Sequence, residues 1–318
     1  MKILVTGANG FIGQALCSFL QQQDHQARAS LRTPNELHAC VDQVIVDDIT
    51  ADTSWHEALE GMDAIVHLAA RAHVLNETQV DPLTEFRKTN VDGTLNLAHQ
   101  ALLAGVKRFV FVSSIGVLGA ETHAHPFSES SVPKPQADYA ISKLEAELAL
   151  QQLVEGSAME LVIIRPPLVY GANAPGNFGR LLKLVSANLP LPLGAIHNHR
   201  SMVSMDNLVD FIELCLTHPK AANQTFLIAD GTDVSTTELI KLLANGMGKT
   251  TLLLPIPVKL IKIVASLLGK KNLAQQLCGS LQIDISKARN TLGWVPPVST
   301  NDALILTGRQ YQKTTSTS

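Results

Sequence analysis

Tyr139 and Lys143 stand four residues apart in Asp138-Tyr-Ala-Ile-Ser-Lys143, entering an apolar helical stripe of Leu144, Ala146, Leu148, Leu150 and Leu153. That spacing puts both side chains on one helical face. A free phenol titrates at about pH 10 and is a poor acid or base near neutrality. A neighbouring ammonium can stabilise its phenolate and bring it into use for proton transfer. The same pair on a surface helix would do no chemistry, so the elements around it decide.

Positioning falls first to the opening stretch, Met1-Lys-Ile-Leu-Val-Thr-Gly-Ala-Asn-Gly-Phe-Ile-Gly13. Ile3 to Val5 predict a short strand, and Gly7, Gly10 and Gly13 recur every three residues. Phe11, Ile12, Ala15, Leu16, Phe19 and Leu20 then repeat with helical period. Strand, tight turn and helix start together form a seat for a dinucleotide. Gly7 can take the turn, Gly10 lets a pyrophosphate approach the backbone, and Gly13 lets helix and strand pack. The helix N-terminus then offers free N–H groups to phosphate. An ordinary βα turn could carry three glycines too, but their place directly after the first strand favours the nucleotide reading.

Arg28–Leu31 predicts the second strand, whose end reads Ser30-Leu31-Arg32 where a carboxylate for the adenosine ribose is usual. With no acid to repel a 2′-phosphate and Arg32 to pair with one, NADP is favoured over NAD; the alternative is that Arg32 is a solvated loop charge. After a third strand at Val44–Val46, Asp48 could accept from the adenine amino group while Ile49 packs on the ring. A helix at Trp55–Glu60 precedes a fourth strand, Ala64–Ala70, whose small end lets a cofactor approach the backbone. A helix from Asp81-Pro82 carries Asn90, a structural hydrogen-bonding residue, and Phe109–Val112 is a central strand opening into Ser113-Ser114.

In the second half, Met205–Leu216 and Thr225–Ala229 predict a helix and a strand that return to the first domain. Ser235 with Glu238 three residues later is a capping box. Pro257–Leu268 is unusually apolar, with Lys259, Lys262, Lys270 and Lys271 beside it. It is expected to pack in the smaller domain, peripheral membrane contact being the alternative. Gln312–Ser318 is expected to be a frayed tail.

Composition narrows the class. A chain of 318 residues, 46% hydrophobic and 17% charged, can bury a large core plus a smaller one. A net charge of −3 gives no basic footprint for nucleic acid. Cys17, Cys40, Cys215 and Cys278 lack the close pairs of a zinc or redox motif and read as buried thiols in a reducing compartment. His123 and His125, or His197 and His199, sit in Pro/Gly-flanked polar stretches where a metal site would also need carboxylate or thiolate partners, so no metal is expected. A strand starting at residue 2 leaves no room for a signal peptide, and no apolar run reaches the roughly 18 residues of a membrane span, so a cytoplasmic protein is expected.

Taken together, Thr6-Gly-Ala-Asn-Gly-Phe-Ile-Gly13, Asp48-Ile49, His67-Leu-Ala-Ala70, Asn90, Ser113-Ser114 and Tyr139-Ala-Ile-Ser-Lys143 resemble the extended short-chain dehydrogenase/reductase family. Arg165-Pro-Pro-Leu-Val-Tyr-Gly171 and Asp284-Ile-Ser-Lys-Ala-Arg-Asn-Thr-Leu-Gly-Trp294 resemble its nucleotide-sugar epimerase/dehydratase branch. The resemblance implies an α/β fold, a doubly wound parallel (Rossmann) sheet with a smaller C-terminal substrate domain. Residues 1–170, with 201–230, would form the dinucleotide-binding domain, and 171–200 with 231–311 the substrate domain. Ser114, Tyr139 and Lys143 would be catalytic. Gly7, Gly10, Phe11, Ile12, Gly13, Arg32, Asp48, Ile49, Leu68, Ala69, Ala70, Asn90, Tyr139 and Lys143 would bind the cofactor. Ser114, Asn177 and Arg200 would meet a nucleotide-sugar. The helices around Asn90 and Lys143 would pair in a homodimer.

Departures from the family pattern refine the expectation. Ser114 is followed by Ile115 and Gly116 rather than an Asp-Glu pair, which argues against dehydration, and no cysteine follows for 3,5-epimerisation. Leu118 replaces a signature tyrosine, Leu168 an asparagine, and the arginine expected before Asp284 is missing. Arg32 favours an exchanging NADPH, hence a 4-ketoreductase of UDP-hexoses or UDP-N-acetylhexosamines in surface polysaccharide synthesis. A 4-epimerase of the same sugars is the alternative; further ones are a reductase of a non-sugar ketone and a non-enzymatic NADP-sensing regulator.

Overall fold

The structure is a computed structural model and describes residues 1–33, 42–72 and 81–316. In the first half, β1 (Lys2–Thr6), α1 (Phe11–Gln22), β2 (Gln26–Leu31), β3 (Asp42–Ile45), α2 (His56–Leu59) and β4 (Ala64–His67) lead into α3 (Pro82–Arg87). A π-helical turn, Lys88–Gly93, joins α3 to α4 (Thr94–Leu103). Then come β5 (Arg108–Val112), a 3₁₀ turn at Ile115–Val117, α5 (Asp138–Val154) and β6 (Glu160–Arg165). The rest holds β7 (Leu168–Tyr170), α6 (Gly176–Ser186), β8 (Met202–Ser204), α7 (Met205–Thr217) and β9 (Gln224–Leu227). It ends with α8 (Thr236–Gly246), α9 (Val258–Leu267), α10 (Lys271–Cys278), α11 (Ser286–Leu292) and α12 (Thr300–Ser316).

Seven strands form one parallel sheet in the order β3-β2-β1-β4-β5-β6-β9. This is the expected doubly wound sheet, and β9 returns to it as predicted. Alternate residues of the central strands feed cores on opposite faces, as the two-residue period of a strand requires. Ile3, Val5, Val110 and Val162 face α1 and α7, while Leu4, Ile65, Phe109, Phe111 and Ile163 face α4 and α5. The crossover at β1 puts the open ends of β1 and β4 beside each other, where such sheets bind ligands.

A separate buried cluster gathers Phe178, Leu182, Ile196, Ile240, Leu243 and Leu304, which lie in 171–200 and 231–311, together with Tyr170 of β7. Ile285, Ala288, Leu292 and Trp294, within 231–311, pack into the first core. The Trp294 indole donates to Asp210 of α7 (2.8 Å), and Lys287 to the Thr225 carbonyl (2.9 Å), so α11 belongs physically to the main sheet.

Three expectations are corrected. Helix α12 continues to Ser316, so the frayed tail expected from residue 312 is helical up to there. Helix α9 has no buried residue; only Val258 and Ile261 lean on the third cluster, so its apolar composition does not reflect burial. Cys17 and Cys215 are buried as expected, but Cys278 is only half-buried, and Cys40 lies outside the described residues. Among the described residues no helix is long and apolar enough to cross a membrane.

Candidate active site

The glycine turn has the shape its sequence implies. Gly7 sits at φ +67°, in the left-handed region, and a Cβ there would meet the Ala69 backbone nitrogen at 2.9 Å. The β1–α1 turn and the Leu68-Ala69-Ala70 loop after β4 therefore touch backbone to backbone. A Cβ on Gly13 would fall 2.2 Å from the Gly7 carbonyl oxygen, so α1 can enter only on a glycine. Gly10, in contrast, would meet only that same oxygen, at 3.1 Å, and leaves the turn open outward. It also occupies the α1 N-cap without a side-chain cap, so the first N–H groups of α1 have no protein side chain closing them. This cradle fits a dinucleotide diphosphate.

Phe11 and Ile12, on the first turn of α1, face different cores. Phe11 packs on the third cluster and on Gly171, Ile12 on the first. Ile49 is wedged against the π-helical turn, where a Cβ on Gly93 would lie 2.6 Å from its Cγ2. Arg32 and Asp48 meet each other: the guanidinium donates to the carboxylate at 3.3 Å, with both side chains largely exposed. The sequence assigned them separate ligand groups, and the structure makes them partners.

At the end of β4, His67 is fully buried between two hydroxyls, Thr6 Oγ1 at 2.7 Å from Nδ1 and Thr94 Oγ1 at 2.9 Å from Nε2. Burial, with the Lys143 charge behind it, pulls its pKa to about 3, so it is neutral. Its ring stacks on Phe111 (5.9 Å, 17°), and the Lys143 ammonium stands 3.9 Å from the Phe111 ring centre. Burial pulls Lys143 down to about 7, against a smaller upward pull from Glu147. Glu147 is itself held by Arg165 at 2.5 Å, a buried ion pair that ties α5 to β6.

Tyr139 lies one turn before Lys143, its ring edge-on to Phe86 (6.3 Å, 68°). Though the residue is half-buried, desolvation pushes its phenol up to about 12. The lowering expected from Lys143 is therefore not what the geometry gives; desolvation dominates. Ser114 opens the loop after β5, where its hydroxyl accepts from the Gly116 amide (3.1 Å). A Cβ on Gly116 would lie 3.4 Å from the Cβ of Ala140, so the Ser114 turn touches the helix next to Tyr139.

Asn90 behaves as expected, through a device the sequence did not reveal. The π-helical turn points it inward, where it accepts from the Arg71 amide (2.8 Å) and donates to the Arg71 carbonyl (3.1 Å) and to Ser142 Oγ (3.0 Å). It thus clamps the Leu68–Ala70 loop to α5. Sequence reasoning missed Ser113, whose backbone continues pairing with β6 (Ser113 N to Ile164 O, 2.8 Å). Strand alternation puts its side chain on the face of Phe111, and its buried hydroxyl has no partner among the described residues. This hydroxyl and the Lys143 ammonium both lie on the Phe111 face of the sheet, and their donors and acceptors suit the ribose end of a dinucleotide.

Asn177 and Arg200 each bond the α10 segment, at different residues. Asn177 donates to Gln276 (2.6 Å) and Arg200 to the Gly279 carbonyl (3.1 Å), both at the C-terminal end of α10.

The pattern of the NAD dependent epimerase/dehydratase family matches residues 3–229. The chain belongs to that family. This family member is an NAD-dependent enzyme. It is 44% identical over 314 residues, 98% of its own length and 95% of the relative's, to UDP-glucose 4-epimerase of Vibrio cholerae. It is 27% identical, over 95% of itself and 93% of the relative, to N-acetyl-alpha-D-glucosaminyl-diphospho-ditrans,octacis-undecaprenol 4-epimerase of Escherichia coli O157:H7. The family fold also aligns with a solved UDP-glucose 4-epimerase from Thermotoga maritima, at TM-score 0.77 and 24% identity, covering 99% and 100% of the two chains. A UDP-glucuronic acid 4-epimerase from Bacillus cereus in complex with NAD gives TM-score 0.76 at 23% identity, with 99% of each chain covered.

Proposed function

We propose that this enzyme acts at carbon 4 of a nucleotide-activated sugar of the UDP-hexose or UDP-N-acetylhexosamine class. The observation that carries this reading is Lys143, buried over Phe111 one helical turn from Tyr139 and donating to no protein acceptor among the described residues. A lysine held over an aromatic ring one helical turn from a phenol is placed to serve a bound group.

A dinucleotide, when bound, supplies or takes the hydride. Gly7, Gly10 and Gly13 cradle its diphosphate, Lys143 and Ser113 hold its ribose hydroxyls, and Asn90 keeps the neighbouring loop in place. Ser114 hydrogen-bonds the sugar oxygen at carbon 4, and Tyr139 gives or takes that oxygen's proton. Burial disfavours the charged form of each, holding the phenol at about 12 and the ammonium at about 7, so a charge brought in by bound ligand shifts both. Arg200 and Asn177 offer donors that suit an anionic diphosphate; an uncharged non-sugar ketone would need neither. A sensor without turnover would need no such phenol–ammonium pair.

Between the two directions, 4-epimerisation is favoured. Asp48 brings to Arg32, at the end of β2, the carboxylate that the local sequence lacks, which moves the balance from NADP towards NAD held through turnover. The long 44% match to a protein named a 4-epimerase supports the same reading. The second reading, 4-keto reduction with NADPH, rests on the 73% exposure of the Arg32 side chain, which leaves it able to swing to a 2′-phosphate. Incubation with UDP-sugars and their 4-keto forms, following nicotinamide absorbance, separates the two. Epimerisation interconverts sugars with no net absorbance change, whereas reduction consumes NADPH with the keto form.

A further inference from the structure

Between Glu238 and Asp284 the chain carries six lysines and no carboxylate, inside a protein whose net charge is −3. The same region concentrates exposed apolar surface. Of the 17 large hydrophobic side chains exposed among the described residues, 8 lie between Leu252 and Leu273. Helix α9 sits in its middle. Val258 and Ile261 lean inward, while Leu260, Ile263, Val264 and Leu267, spaced for one helical face, point away from the protein at 54, 56, 51 and 83% exposure. Lys259 and Lys262 border that stripe along one side, and Lys270 and Lys271 lie just beyond its end. None of these four lysines forms an ion pair among the described residues.

We infer that α9 docks this enzyme on the surface of an anionic phospholipid bilayer. The outward leucines, isoleucine and valine enter the boundary between headgroups and acyl chains, and the bordering lysines reach sideways to lipid phosphates. Charge selects this occupant over a second copy of the chain, because α9 packed on α9 would bring like-charged lysines together. The helix lies on the membrane rather than across it, being only 10 residues long. Helix α10 follows directly and carries the contact to Asn177, so docking would hold that segment close to the lipid surface.

The test is co-sedimentation of the full-length protein with phosphatidylcholine vesicles, with and without phosphatidylglycerol, at low and high salt. The expected result is binding that requires phosphatidylglycerol and weakens with salt. Each surface lysine should be worth roughly fivefold in affinity. Lys259→Ala/Lys262→Ala should therefore bind at least tenfold more weakly, as should Ile263→Ser/Leu267→Ser, while circular dichroism and sugar turnover in solution stay as in wild type. Failure to bind phosphatidylglycerol vesicles, equal binding to both vesicle types, or wild-type binding by both variants would overturn the proposal. So would self-association in solution that Ile263→Ser/Leu267→Ser abolishes without any vesicle binding, since α9 would then be an interface between copies.

Discussion

Lys143 and His67 share one buried patch around Phe111, and their displaced titrations carry consequences for stability. Lys143 is held at about 7 against an ordinary 10.5, and His67 at about 3 against 6.5. In both intervals the unfolded chain binds a proton that the folded chain lacks, so stability rises with pH across each and is lost as pH falls towards the folded value. Urea denaturation without added nucleotide should show stability climbing from pH 7 to 10, and Lys143→Met should flatten that climb. An unchanged slope in the variant would remove Lys143 as its source. The sequence made the Tyr139–Lys143 spacing legible, because four residues on a helix fix a shared face. It hid the environment: that desolvation raises the phenol, that Arg32 finds Asp48, and that Ser113 is left without a partner among the described residues all depend on strands distant in the chain.

At the scale of elements, two joints hold the site. The first is the β1–α1 turn, where any Cβ on Gly13 strikes backbone. Gly13→Ala should weaken dinucleotide binding at least tenfold and lower the melting temperature, measured by nucleotide titration and calorimetry; wild-type affinity would show that the turn does not seat the cofactor. The second is the buried Glu147–Arg165 pair between α5 and β6. Glu147→Gln leaves a guanidinium buried without its counter-charge and should cost about 3 to 5 kcal/mol in chemical denaturation. The same change removes an upward pull on Lys143 and should lower its titration further. The parallel sheet and the Ser235–Glu238 capping box were readable, since strand runs, glycine turns and caps are local signals. The π-helical turn at Asn90 was not, because it conforms to the Ile49 loop and to α5 rather than to its own residues. Helix α9 misled for a related reason: an apolar stripe records that something covers it, not whether that cover is protein or lipid.

At the scale of the whole molecule, the main sheet carries the cradle and the Tyr139–Lys143 helix, and the third cluster with α10 carries Asn177 and Arg200. We expect the enzyme to pair as a homodimer through α3, α4 and α5, where Leu103 and Leu148 stay 77 and 58% exposed. Light scattering at micromolar concentration should give twice the 34.2 kDa chain mass, and a monomer would contradict the pairing. The arrangement as a whole claims that one phenol moves the proton of a sugar hydroxyl at carbon 4. Proton NMR of UDP-glucose and UDP-N-acetylglucosamine incubated with enzyme and NAD, wild type beside Tyr139→Phe, tests that claim most directly. Wild type should convert at least one of these sugars into its carbon-4 epimer, and the variant, still folded and still binding NAD, should do so some 10²- to 10⁴-fold more slowly. A variant that interconverts the sugar as fast as wild type would contradict the account.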